Sequence, residues 1–263
     1  MTKMPKISKR KVSNLLFWVL VIATFAFVLP AIYSMDRNTI CNNINITISP
    51  KTDLFFVEKK DVMTMLREAH NGEAIKGESK KNIDLNKMES TLLENGYLET
   101  VRIFQKLDGD LEVDVKQKIP VVRIINKKQE SYYLDNANRK IPYNNKYAPR
   151  LIVATGSISE SYADSIMVKS RNLKEISKVV QFIIQNKLWK AQIEQIYVDK
   201  LGLIYLIPKI GNHTIVVGDA NDLEDKFSKL LAFYKGGLGA VGWDKYKTID
   251  LRYKNQVVAK KRN

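Results

Sequence analysis

Val101-Arg-Ile-Phe-Gln-Lys-Leu-Asp-Gly-Asp-Leu-Glu-Val-Asp-Val115 reads as a β-hairpin. Val101, Ile103 and Phe104 lie in its first strand, Asp108-Gly109 makes the turn, and Leu111, Val113 and Val115 alternate with Glu112, Asp114 and Lys116 in the second. Asp-Gly suits the left-handed backbone of a tight hairpin turn, and period-two alternation marks a strand with one face buried. Upstream, Ile44, Ile46 and Ile48 alternate with Asn45, Thr47 and Ser49, which predicts another half-buried strand. After Phe55-Phe56-Val57, the residues Val62, Met65, Leu66 and Ala69 recur at helical spacing over Asp61 to Asn71, with Gly72 as a stop. Glu73 to Asn82 is polar and rich in lysine, so it reads as a loop. Asn86 and Glu89 have the spacing of a capping box for a second helix, whose apolar side is Met88, Leu92 and Leu93 and whose end is Asn95-Gly96. The predicted order is strand, helix, helix, strand, strand. Two such helices cover one face of a small sheet in a unit of roughly 75 residues, long enough to fold alone.

Further upstream lies Leu15 to Ile32, LLFWVLVIATFAFVLPAI, with no charge and only Thr24 bearing a hydroxyl. As a helix it would be roughly 27 Å long, close to the hydrocarbon thickness of a bilayer. Lys3, Lys6, Lys9, Arg10 and Lys11 precede it without an acid, so the positive-inside rule keeps residues 1–11 in the cytoplasm and exports the rest. The expected anchor occupies residues 12–34, with Leu15, Trp18, Phe25 and Ile32 along it. A cleaved signal peptide would have a shorter apolar core and a small-x-small site, and Pro30-Ala-Ile-Tyr-Ser-Met offers a poor one.

Of the 263 residues, 45% are hydrophobic, as expected for a packed protein. The net charge is +15, and the chain stays strongly basic when residues 1–37 are set aside. Such a field favours acidic surfaces, whether proteins, wall polymers or lipid headgroups. The expected anchor places it across a membrane from nucleic acid. With Cys41 the sole cysteine, an internal disulfide is excluded and the fold stands on packing.

Beyond Pro120 strands predominate. Val121 to Ile125 and Ser131 to Leu134 predict a hairpin, Leu151 to Ala154 a strand ended by Gly156, and Asn172 to Lys187 a long amphipathic helix. Ile193 to Val198 and Leu203 to Ile207 pair across Lys200-Leu-Gly202, and His213 to Val217 adds a strand. Asp222 is placed to cap a helix with the stripe Leu223, Phe227, Leu230, Leu231 and Tyr234, closed by Gly236-Gly237. The last predicted strand contains Ile249-Asp250-Leu251-Arg252-Tyr253, and residues 259–263 read as a basic tail.

An anchor followed by strand-helix-helix-strand-strand resembles a membrane-proximal POTRA domain, and three later segments sharpen the resemblance. These are Val115-Lys-Gln-Lys-Ile-Pro-Val-Val-Arg123, Tyr132-Tyr-Leu-Asp135 with Ile141-Pro142, and Ile249 to Tyr253. Together they resemble the FtsQ/DivIB family of bacterial cell-division proteins across essentially the whole chain. Gln117-Lys118 stands where the family has an acidic-basic pair, and Asn138 replaces a turn glycine. The implied fold is α+β, with a POTRA domain over 40–118 and a β domain of mixed sheet and packed helices over 119–258. The implied function is that of a non-enzymatic, single-span scaffold of the inner membrane, with its N-terminus cytoplasmic and its bulk periplasmic at the septum. In the family, such a protein binds FtsB and FtsL and so links indirectly to the septal synthase pair FtsW/FtsI. Ile249, Asp250, Leu251, Arg252, Tyr253 and Val257 would form the partner-binding edge, receiving an added strand. A POTRA-bearing secretion or outer-membrane assembly factor is the alternative, but neither repeats nor long barrel strands follow Pro120.

Catalytic signals are sparse. His70 and His213 have no cysteine or acid at ligand spacing, and no hydrolase nucleophile motif is present. Gly237-Leu-Gly-Ala-Val-Gly242 fits G-x-G-x-x-G but runs from helix to strand, the reverse of the nucleotide-binding context. No cofactor, metal, nucleic acid or small-molecule substrate is therefore expected. Asn45-Ile-Thr47 and Asn212-His-Thr214 match the glycosylation sequon without other signs of a eukaryotic secretory route.

Overall fold

Two separate β-sheets organise the chain: a three-stranded sheet and a nine-stranded one. The structure is a computed structural model and describes residues 17–28, 39–50, 56–145, 147–238 and 242–262. Residues 17–28 are helical and carry exposed apolar side chains, Trp18 and Phe25 among them. Leu15 and Ile32 of the expected anchor lie outside the described residues. Among the described residues, no helix is long and apolar enough to cross a membrane.

The first unit has the predicted order. Strand β1 (Ile44–Ser49) leads to helix α1 (Lys59–Ala69), helix α2 (Leu85–Leu93) and strands β2 (Leu98–Gln105) and β3 (Leu111–Gln117), with β3 in the centre of the sheet. Strand β1 runs parallel to β3, pairing Ile44 with Leu111 and Ile48 with Val115. Val62 and Leu66 of α1, Met88 and Leu92 of α2, and Leu111 and Val113 are almost wholly buried, as the two periodicities require. Gly109 is required at the β2–β3 turn: its φ is +90°, and a Cβ there would lie 2.3 Å from the Ile40 carbonyl. The start of α2 differs from expectation. Asp84, not Asn86, accepts the Lys87 N–H, at 2.9 Å, and Glu89 instead accepts the Ile103 N–H of β2 at 2.6 Å. The stretch expected as a plain loop also holds a 3-10 turn, Lys80–Asn82.

The second unit holds strands β4 (Pro120–Ile125), β5 (Ser131–Asp135), β6 (Lys140–Pro142), β7 (Ile152–Gly156), β8 (Ile193–Val198), β9 (Ile204–Pro208), β10 (Thr214–Gly218), β11 (Tyr246–Asp250) and β12 (Val258–Lys261). Their spatial order is β12-β11-β10-β9-β8-β7-β4-β5-β6. Neighbours are parallel at β4/β7, β7/β8 and β10/β11, and antiparallel elsewhere, so the sheet is mixed. Helices α3 (Arg171–Gln185), α4 (Lys187–Gln192) and α5 (Leu223–Phe233) contribute Leu173, Ile176, Val180, Trp189, Phe227 and Leu230 to one core with the inward strand residues. The helix expected over 172–187 is α3, which ends at Gln185, and a separate helix, α4, follows it. Asn186 separates them and accepts the Leu188 and Trp189 N–H groups at 3.0 and 3.3 Å. Asp222 makes no side-chain cap for α5, and its backbone is left-handed. Gly236-Gly237 does not end this helix either, because a π-helical turn, Tyr234–Leu238, carries the chain through both glycines.

Among the ion pairs of this unit, Lys140–Glu160 has both side chains buried. Lys140 Nζ is 2.8 Å from Glu160 Oε1, with the two side chains 0% and 6% exposed. Glu160 also accepts the Ser170 N–H at 2.7 Å and the Lys169 N–H at 3.1 Å. Burial alone would push the Glu160 carboxyl up, but the hydrogen bonds from Lys140, Ser170 and Lys169 outweigh it and bring the pKa to about 2.

Candidate partner-binding edge

Tyr246-Lys-Thr-Ile-Asp250 forms β11 because its apolar residues face the helices: Ile249 is fully buried and shares the core with Ile215 of β10. This strand is not an edge. It lies between β10, which it pairs in parallel as Ile215 with Ile249, and β12, which it pairs antiparallel as Ile249 with Ala259 and Asp250 with Val258. The expected tail over 259–263 is therefore largely strand, and the outer edge of the sheet on this side is β12. The chain reverses through 253–256, where Asn255 has φ +60°. Tyr-Lys-Asn-Gln before Val257-Val258 was the signal for this hairpin, since asparagine tolerates the left-handed backbone a tight turn needs.

The six residues singled out from sequence divide into three kinds. Ile249 and Leu251 are fully buried core. Asp250 and Arg252 pair with each other, with Arg252 Nε 3.0 Å from Asp250 Oδ1 and Nη2 2.6 Å from Oδ2. Burial pushes the Asp250 carboxyl up, but the hydrogen bonds and charge of Arg252 prevail and hold it below the ordinary carboxylate value. The Arg252 stem packs over Gly218, where any Cβ would come within 2.9 Å of it. Tyr253 and Val257 flank the turn. The Tyr253 side chain is exposed and its carbonyl accepts Lys229 Nζ at 2.8 Å, while Val257 packs partly against the core.

Strand β12 brings further residues to this edge. Val258, Lys260 and Lys261 are exposed along it, followed by exposed Arg262. The Arg262 N–H donates to the Lys245 carbonyl at 2.9 Å, which fixes the far end of the β11–β12 pair. A sheet edge of this kind presents main-chain groups to an added strand, and its three cations favour an acidic one.

Comparison with known proteins bears on this arrangement. Residues 119–260 match the family described as FtsQ/DivIB, C-terminal related, and residues 39–116 match a POTRA-like domain. The chain belongs to the FtsQ/DivIB family. A search of curated proteins finds no match to it. The family comprises non-enzymatic cell-division proteins that associate with the septal membrane and have protein partners in the division machinery. Its C-terminal match runs from β4 into β12, ending at Lys260.

The two histidines lie elsewhere in this FtsQ/DivIB-family chain. His70 follows α1 and is buried. His213 is buried beside β10, its Nε2 2.9 Å from the Tyr234 hydroxyl, and burial pulls its pKa down. Among the described residues no group of three or more His, Cys, Asp or Glu is arranged to hold a metal ion. Cys41 is buried just before β1, its Sγ 3.6 Å from the Asn43 carbonyl.

Proposed function

We propose that this chain is a single-span divisome scaffold that captures an FtsB/FtsL-like complex by strand addition along β12 and so links it to the FtsW/FtsI-type septal synthases. Leu15 to Ile32 would anchor it in the inner membrane, with residues 1–11 cytoplasmic and the POTRA and β domains periplasmic. Family membership supports the cell-division role. The observation that carries the binding mode is the outer edge of β12, which among the described residues has no strand beside it and is rich in cations. Main-chain hydrogen bonds would supply affinity there, and Lys260, Lys261 and Tyr253 would supply selectivity for an acidic strand with an apolar residue. Arg252 serves this reading as a brace, because its charge is already taken up by Asp250.

The test is copurification of an FtsB-like partner with Lys260→Glu/Lys261→Glu. Both side chains are exposed, so the fold should survive, as circular dichroism would check. Capture is expected to fall at low salt, and the deficit relative to the unaltered chain is expected to shrink at high salt, where the charges are screened. Undiminished capture by the folded variant would place the interface elsewhere.

A further inference from the structure

The three-stranded sheet has two edges, and its own side chains treat them differently. The outer side of β2 is partly occupied by Glu89, whose carboxylate takes the Ile103 N–H at 2.6 Å. The outer side of β1 is handled in another way. Just before β1, residues 77–80 occupy the position of a neighbouring strand: the Cys41 N–H donates to the Glu78 carbonyl at 2.8 Å, the Gly77 N–H to the Cys41 carbonyl at 2.8 Å, and Ile40 bridges Ser79 antiparallel. That cover stops where β1 begins. The register of β1 on β3 pairs Asn45 with Glu112 and Thr47 with Asp114. In a parallel ladder alternate residues turn both peptide groups to the partner, so Ile44, Ile46 and Ile48 turn theirs outward. Among the described residues β1 has no second strand beside it.

Beside this stretch lies a cavity of about 420 Å³ whose lining includes Ile44, Met63, Arg67, Ala74, Ile75 and Lys76. Its surface is mainly apolar, it holds two cations, and among the described residues no carboxylate lines it. Lys76 Nζ is steered towards β1 by the Asn43 side-chain oxygen at 3.1 Å, and both Arg67 and Lys76 are exposed. The site therefore offers the outward peptide groups of three residues, an apolar floor and two positive charges.

We infer that the outer edge of β1 receives an extended acidic segment of a partner protein as a fourth strand. Its main chain pairs with Ile44, Ile46 and Ile48, an apolar side chain enters the cavity, and a carboxylate meets Arg67 and Lys76. A lipid surface would satisfy the cations but not the outward peptide groups, which favours a peptide. This edge belongs to the POTRA-like unit and is independent of the β12 reading.

The test uses the full chain in detergent micelles with an acetylated alternating Val-Glu heptapeptide and its Val-Lys counterpart. The Val-Glu peptide is expected to slow amide hydrogen exchange at Ile44, Ile46 and Ile48. Arg67→Glu/Lys76→Glu should weaken its binding by at least about fivefold, in line with two exposed ion pairs reversed in sign. Arg67→Ser provides a milder variant with the same direction. Equal binding of the Val-Lys peptide, or no protection of the three amides, would overturn the inference. So would protection of those amides by phosphatidylglycerol vesicles and not by the peptide, which would make the face a lipid contact.

Discussion

Lys140 and Glu160 carry opposite charges into a part of the nine-stranded sheet that solvent does not reach. Their net value is set less by mutual attraction than by what either would cost if left alone, because a lone buried charge keeps its desolvation penalty. Lys140→Met is therefore expected to destabilise the protein by about 3–5 kcal/mol, whereas Lys140→Met/Glu160→Leu should cost much less. Urea unfolding of the two variants measures the difference. The Glu160 pKa adds a pH signature. Its folded value of about 2 lies below the ordinary 4.5, so its contribution is fully present above about pH 4.5 and is lost as pH falls towards 2. Glu160→Gln should flatten stability in that window. No periodic pattern announces such a pair, since its members lie on different elements and neither motif nor spacing joins them. Asn138 was legible by contrast, because a turn needing positive φ selects asparagine or glycine, and its φ is +61°. Arg252 was half legible. It stands in the motif expected of it, but Asp250, two residues earlier, takes its charge.

Helices α3 and α4 show how a single cap changes the architecture. The stripe of α3 is strongly amphipathic and would run on through 187 by pattern alone, but Asn186 adopts extended backbone and its side chain caps the next helix. The break turns Trp189 into the core against Phe227, with ring centroids 5.1 Å apart. Asn186→Ala is expected to cost about 1 kcal/mol, and Asn186→Asp to retain most of that, because an aspartate can accept the same two N–H groups. A shift of the urea midpoint at unchanged slope would register it; a null result for Asn186→Ala would mean that packing of Trp189 alone fixes the break. The hairpin at Asp108-Gly109 and the alternation in β1 and β3 were readable because local chemistry and sheet pattern agree there. The β11–β12 hairpin was hidden because Lys260, Lys261 and Arg262 give its second strand the composition of a solvated tail, although Ala259 pairs with buried Ile249. Glu89 departs from expectation for a related reason: its spacing from Asn86 fits a cap, and only the fold brings the edge of β2 within its reach.

Each of the two sheets lies largely in its own compact unit. The basic balance of the chain is not confined to its first residues, since cations also line the β1 edge and β12. An electrostatic draw on acidic partners should therefore weaken with salt for the two β-sheet units as well as for the N-terminal residues. Under the proposed function the apolar stretch Leu15 to Ile32 would serve as a tether. Its described portion, 17–28, is helical with apolar side chains outward all round, as a helix surrounded by hydrocarbon would be. Nothing in its composition marks a face for specific helix pairing: it lacks glycine and charge, and Thr24 turns its hydroxyl back to the Val21 carbonyl at 2.7 Å. Replacing residues 15–32 by an unrelated spanning helix, with Lys3 to Lys11 retained to fix orientation, is therefore expected to preserve septal localisation and cell division. Fluorescence microscopy of a depletion strain carrying the swapped chain gives the readout, and membrane fractionation checks insertion. Filamentous cells despite correct insertion would mean that the native helix makes contacts of its own in the bilayer, and that the tether is also a binding surface.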